Sequence, residues 1–132
     1  MDFRELKQQA LTYAKHRELN KFISFGSVAA AILTSKGNVY VGVSIDTACS
    51  MGFCAEHAAI AEMLKNQEVK IEKLIAVTES GDIVPPCGRC REFITQLSQD
   101  NHNALVMVDS HTTLTILDLL PYDWKAKVSN TW

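Results

Sequence analysis

At 132 residues, 47% hydrophobic and with a formal net charge of −2, the chain reads as one ordinary domain, residues 1–132. It has the apolar content for a single core and lacks the low hydrophobicity and high charge of a disordered segment. No Lys/Arg run supplies the basic stripe that binding to long nucleic acid needs, so a nucleic-acid polymer is not expected as partner and a small neutral or cationic substrate is. No apolar run approaches the ~20 residues of a membrane span, and the charged start Met1–Leu11 lacks the apolar centre of a signal peptide; the expectation is a soluble, cytoplasmic protein with no membrane partner.

In chain order, Asp2 to Arg17 reads as a helix with Leu6, Ala10, Tyr13, Ala14 and Arg17 on one face. Val28–Thr34, the turn Ser35-Lys36-Gly37-Asn38 and the β-branched run Val39–Val43 read as a hairpin. Cys54–Lys65 is a largely buried helix and Ile71–Thr78 a strand. Pro85-Pro86 is a stop, and Arg89–Leu97 a helix with Phe93, Ile94 and Leu97 inward. Ala104–Val108 is a strand, Leu114 belongs to a short one, and Thr115 caps a helix Ile116–Leu120 that Pro121 ends. An antiparallel start followed by alternating strands and helices predicts an α/β fold, a mixed sheet with helices on both faces.

Three of the four cysteines fall in two short blocks, Cys54-Ala55-Glu56-His57 and Pro86-Cys87-Gly88-Arg89-Cys90. Each block opens a predicted helix. Free N–H groups and partial positive charge at a helix start favour thiolate, the form that binds zinc. Three thiolates leave a fourth position open, the mark of a catalytic zinc rather than a structural one. Water at such a position has its pKa lowered from about 15.7 to about 7, and the resulting hydroxide suits attack on the amidine-like carbon of a cytosine ring. Glu56, two residues from Cys54, is placed to move the protons.

The same residues admit two other readings. Cys54 and His57, three apart on a helix, complete a closed Cys₃His structural site with Cys87 and Cys90, although Glu56 then has no role. Alternatively Cys87-Gly88-Arg89-Cys90 is a redox dithiol, although a third cysteine then opens another helix without a purpose.

These blocks resemble the cytidine deaminase superfamily, whose zinc motif is known in a three-cysteine form. Here it stands as Cys54-x-Glu56 and then Pro86-Cys87-x-x-Cys90, with flanks Cys54-Ala55-Glu56-His57-Ala58-Ala59-Ile60 and Cys90-Arg91-Glu92. The likeness runs from the strand at Val28 to Leu119-Leu120-Pro121. It implies a three-layer α-β-α sandwich around a five-stranded mixed sheet. It also implies one Zn²⁺ per subunit held by Cys54, Cys87 and Cys90, Glu56 as proton shuttle, and a cytosine nucleoside as substrate. It implies a homotetramer with shared active sites, in which an aromatic such as Trp124 packs over the base.

Two departures concern the substrate. The cytidine enzymes carry Asn-x-Glu after the second strand to grip the ribose hydroxyls; here Ser44-Ile45-Asp46 is shorter in both side chains. Gly26-Ser27-Val28-Ala29 and the ending Leu-Leu-Pro with a nearby tryptophan resemble the blasticidin-S deaminases, so cytidine, deoxycytidine and a modified cytosine nucleoside all stay open. His57 stands where many three-cysteine members have an arginine that hydrogen-bonds the thiolates; His57 or Arg89 is expected in that supporting role. Cys49 reads as a small bystander, and His16, His102 and His111 carry no site signal.

Overall fold

Strand β2, Ile23–Thr34, organises the computed structural model, which describes Met1–Trp132. Its small and branched residues alternate between two faces. Ala29, Ala31 and Leu33 pack with Leu6, Ala10 and Ala14, from helix α1 (Phe3–Leu11) and the turn after it, and with Ile75 and Val77. Ile32 packs on the other face with Ala59, Ile60 and Met63 of α2 (Ala55–Lys65) and Ile94 of α3 (Gly88–Leu97). A strand buried on both faces must be apolar throughout, and the result is helix, sheet, helix in three layers.

The sheet has six strands, one more than expected. β3 (Val39–Thr47) runs antiparallel along one edge of β2. The other edge is divided: β4 (Ile71–Thr78) pairs with Val28–Thr34, and the short β1 (Arg17–Asn20) with Ile23–Phe25. β5 (Leu105–Asp109) runs parallel to β4, and β6 (Thr112–Thr115) closes the sheet antiparallel to β5. Helix α4, Ile116–Leu119, follows with Thr115 as its cap, as the sequence predicts.

β1 escapes sequence reading because all four of its residues are exposed, so no burial alternation marks it. The helical reading to Arg17 overshoots for a related reason. α1 stops at Leu11, and the chain then passes Gly26 so closely that a Cβ there would lie 2.1 Å from the Lys15 carbonyl oxygen. Leu6, Ala10 and Ala14 are buried as expected, but Tyr13 and Arg17 are exposed. The helix starts on a capping box, Glu5 N–H to Asp2 Oδ1 at 2.8 Å and Asp2 N–H to Glu5 Oε2 at 3.0 Å.

Two features position the cysteines. The parallel pair β4–β5 needs a crossover, and α3 supplies it, so its first turn lies beyond the C-terminal end of β4, where α/β sheets hold ligands. On the neighbouring helix, the small face of α2 sits against β3 at Gly42, where a Cβ would fall 2.4 Å from Ala59 N and 2.6 Å from Ala55 O.

Candidate metal centre and its cleft

Cys54 and Cys87 are the N-cap residues of α2 and α3, and both have extended backbones. The Cys54 side chain makes no bond to its own helix start, and its sulfur faces that of Cys87. Cys90 lies one turn into α3, fully buried. The Sγ atoms of Cys54 and Cys87 are 3.5 Å apart, those of Cys87 and Cys90 also 3.5 Å, and all three lie within 4.8 Å of one another. Tetrahedral zinc with Zn–S bonds of ~2.3 Å places its sulfurs about 3.8 Å apart, so the triad fits the ion with sub-ångström adjustment.

The charges of the site also call for a cation. Burial, and then the Glu56 carboxylate, push the Cys90 thiol far above its ordinary range. Burial and the Cys87 thiol push Cys54 up as well. Burial would raise Cys87 too, but the backbone N–H of Cys90 and the neighbouring thiols hold it below its ordinary value. Glu56, 4% exposed, has its carboxyl raised by burial, with a bond to the Cys90 thiol opposing. Three thiolates beside a buried carboxylate are compatible only with a cation among them.

His57 is not one of the converging donors. Its Nδ1 lies 3.4 Å from Cys90 Sγ, and its ring is held between Phe93, at a centroid distance of 4.8 Å, and Phe53, at 6.4 Å. Burial, then the charge of Arg89, lower its pKa. The ring touches the Cys90 sulfur from outside the converging group, which consists of Cys54, Cys87 and Cys90 and not of the four donors of a closed Cys₃His site. The redox reading loses its basis too, because the Cys87–Cys90 pair shares its sulfur cluster with Cys54.

A cleft of about 440 Å³ opens onto Cys54; Ser44, Asp46, Ser50, Phe53 and Arg89 are among the residues that line it. It brings together three of the expected residues, Ser44, Asp46 and Arg89, beside the metal centre. Ser44 is partly committed: its hydroxyl accepts the Val28 N–H at 3.0 Å, clasping the irregular register of β2 between Phe25 and Ala29. Asp46 is exposed on the same strand. Trp124 does not line the cleft. It is 57% exposed in a 3₁₀ turn, Trp124–Lys127, with its Nε1–H donated to Glu92 Oε1 on α3 at 3.0 Å.

Sequence reading missed three supports. Arg91 donates from Nε to the Pro86 carbonyl at 2.8 Å and from Nη1 to the Leu119 carbonyl at 3.0 Å, which fastens the loop that carries Cys87. Phe53 pairs with Ile45 through two backbone bonds of 3.0 Å and so ties Cys54 to β3. Gly52 permits this approach, since a Cβ there would lie 2.0 Å from the Ile45 carbonyl oxygen. The motif Cys90-Arg91-Glu92 is the one place where a signal for Arg91 was visible.

Residues 2–106 match the family described as the cytidine and deoxycytidylate deaminase zinc-binding region. The chain is 34% identical over 70 residues to a cytidine deaminase of Sporosarcina psychrophila, a match covering 52% of each chain; it therefore spans about half the length of that relative. It is 30% identical over 103 residues to a blasticidin-S deaminase of Bacillus cereus, covering 71% of this chain and 74% of the other. Its fold is that of the cytidine deaminase of Mycobacterium tuberculosis, with TM-score 0.78, 24% identity, and coverage of 94% of this chain and 98% of the other. The match extends through the whole cysteine cluster, and the chain belongs to the zinc-binding cytidine and deoxycytidylate deaminase family, with zinc as the metal that its three thiols fit.

Proposed function

We propose that the protein hydrolyses the exocyclic C–N bond of a cytosine nucleoside, converting cytidine or deoxycytidine and water to uridine or deoxyuridine and ammonia. The observation that carries this reading is a buried carboxylate, Glu56, against a three-cysteine metal centre that opens at Cys54 into a cleft.

When bound, zinc supplies a Lewis acid that ionises water near neutral pH. Glu56 does the rest of the proton work. It takes one proton from the attacking water and delivers it to N3 of the ring, then takes the second from the hydroxyl now on C4 and passes it to the departing amine. Its raised proton affinity, a consequence of burial, suits a group that must both accept and return protons. His57 donates to Cys90, and Arg89 adds positive charge at the cleft; together they offset excess thiolate charge. Ser44 and Asp46 face the sugar. Trp124, outside its own cleft, serves the site of a neighbouring copy in a homotetramer. In this reading the enzyme works in pyrimidine salvage in the cytoplasm; no helix is long and apolar enough to cross a membrane.

A second substrate reading rests on a specific observation. The Ser44 hydroxyl is already bonded to the Val28 N–H, so the ribose grip falls mainly to Asp46. A modified cytosine nucleoside such as blasticidin S, the substrate named for the Bacillus cereus relative, fits a cleft altered there. Incubating the zinc-loaded protein with each nucleoside separately, and following the ultraviolet change on deamination with Glu56→Ala as control, decides between them. Glu56-dependent loss of cytidine supports the first reading, and loss of blasticidin S alone supports the second. Turnover of neither, with zinc firmly bound, overturns both in favour of a zinc-stabilised module without this activity.

A further inference from the structure

The segment Asp123–Trp132 is held to the domain by a chain of charges that passes through His102. This histidine lies in the 3₁₀ segment Gln99–Asn103 between α3 and β5. Its Nδ1 is 2.8 Å from the Gln99 carbonyl oxygen, which can only accept, so Nδ1 carries a proton. Its Nε2 is 2.8 Å from Asp123 Oδ2. Burial alone would raise the Asp123 carboxyl, but the Lys125 backbone N–H and ammonium and the His102 ring hold it below its ordinary range, so it accepts too. Both ring nitrogens therefore donate, and a ring that donates twice is an imidazolium. The two side chains are 14% and 5% exposed.

From Asp123 the chain of charges continues. Its Oδ1 is 2.9 Å from Lys125 Nζ, which is 2.7 Å from Glu92 Oε2 on α3. Glu92 in turn accepts the Trp124 Nε1–H. Trp132 meets the His102 ring edge-on, with centroids 5.6 Å apart, and donates its Nε1–H to the Thr95 carbonyl at 2.7 Å. The charged and titratable groups around His102 are Asp123, Lys125 and Lys127 of this segment, Tyr122 just before it, Glu92 of α3, and Asp100 of its own turn, which is paired with Lys70 at 2.9 Å.

We propose that His102 is a protonation-dependent pin that positions the segment carrying Trp124, and that loss of its proton as pH rises frees that segment. Neutral imidazole keeps one N–H only. Whichever nitrogen loses its proton then turns a lone pair toward the Gln99 carbonyl or the Asp123 carboxylate, and one attraction becomes a repulsion. The pin rests on the two hydrogen bonds of the His102 ring and the ionised Asp123 carboxylate, whereas its effect on turnover rests on the deaminase reading.

The chain's two tryptophans, Trp124 and Trp132, are both in this segment, so intrinsic fluorescence reports on it directly. Titrated from about pH 5 to about pH 9, across the range in which histidines change charge, the wild-type protein is expected to brighten in one transition as the imidazolium beside Trp132 loses its proton. His102→Gln is expected to remove that transition. The Val128 and Ser129 amides, both bonded to the Lys125 carbonyl, are expected to exchange roughly ten- to hundredfold faster above it, after correction for intrinsic exchange, because a hydrogen bond between charged groups is lost. No transition in the wild-type protein, unchanged amide protection, or a transition that persists in His102→Gln overturns the pin. The wild-type measurements stand even where the variant does not fold. If nucleoside is turned over, His102→Gln raises KM more than it lowers kcat; if none is, the deaminase reading fails while the fluorescence result stands.

Discussion

At the scale of single residues, Glu56 carries the sharpest prediction. Its carboxyl is buried with no cationic side chain against it, so Glu56→Gln removes a proton carrier without opening a cavity. The variant is expected to lose roughly 10²- to 10⁴-fold in kcat/KM while binding zinc at the same stoichiometry. Without zinc it should be at least as stable as the parent, since a desolvated acid is replaced by a neutral amide. Steady-state kinetics, metal analysis and urea unfolding check the three parts, and a variant as active as the parent shows that protons move by another route. The ligands were legible in the sequence because their geometry is local: Cys87 and Cys90, three apart, share a helix face, and each block opens a helix. Residues whose partners are distant in the chain were not. The Ser44 hydroxyl accepts the Val28 N–H, sixteen positions away, at the register irregularity of β2. Arg91 finds its carbonyls at Pro86 and Leu119, and His102 reaches Asp123 twenty-one positions away. No pattern of spacing encodes such meetings.

At the scale of elements, the site depends on how closely α2 approaches β3. Gly42→Ala places a methyl against backbone atoms of Ala55 and Ala59, which cannot rotate away. The helix must shift, and Cys54 at its start shifts with it. The variant is expected to lose about 1–3 kcal/mol of stability, read as a lower urea midpoint at unchanged slope, and to bind zinc more weakly than the parent. An unchanged midpoint would mean that the contact is loose. The far end of the same layer offers a test by pH. Tyr40 donates to Glu68 Oε2 at 2.6 Å and Asn38 donates to the same oxygen at 2.9 Å, while Glu68 Oε1 is buried without a partner. The Tyr40 bond, then that of Thr34, hold the Glu68 carboxyl below its ordinary range. The stability this contributes is present above the unfolded carboxyl pKa and is lost as pH falls through the folded one. The same bond pushes the Tyr40 hydroxyl from 10.0 up to about 12, so its contribution is present below pH 10 and lost as pH rises toward 12. Relative to Tyr40→Phe, the parent should therefore be most stable in mid-range and lose its advantage at both extremes. A difference curve flat with pH would remove the bond from the account. Strands and helices with a buried face were legible by their periodicity, down to the Thr115 cap. β1, exposed throughout and paired through its backbone, carried no such signal.

At the scale of the whole molecule, the metal joins parts that otherwise meet only through the sheet. Cys54 belongs to the helix packed on β3, and Cys87 and Cys90 to the crossover between β4 and β5. The unfolded chain has no preformed cluster, so zinc binding adds to folding stability. By mass action, free zinc at about 1,000 times its dissociation constant contributes about 4 kcal/mol, or roughly 10–20 °C in Tm for a domain of this size. Removing the metal with a chelator is expected to lower Tm by that order, and readdition should restore it. The loss should be local as well as global. The amides at the starts of α2 and α3, such as His57 and Arg91, whose N–H groups bond the Cys54 and Cys87 carbonyls, should lose more protection against exchange than those of α1, which packs on the opposite face and caps itself through Asp2 and Glu5. A uniform loss across all three helices would mean that the domain responds to the metal as one cooperative unit. No loss at all would mean that the cysteines hold their geometry unaided, as thiols fixed by the six-stranded sheet and its two flanking layers alone.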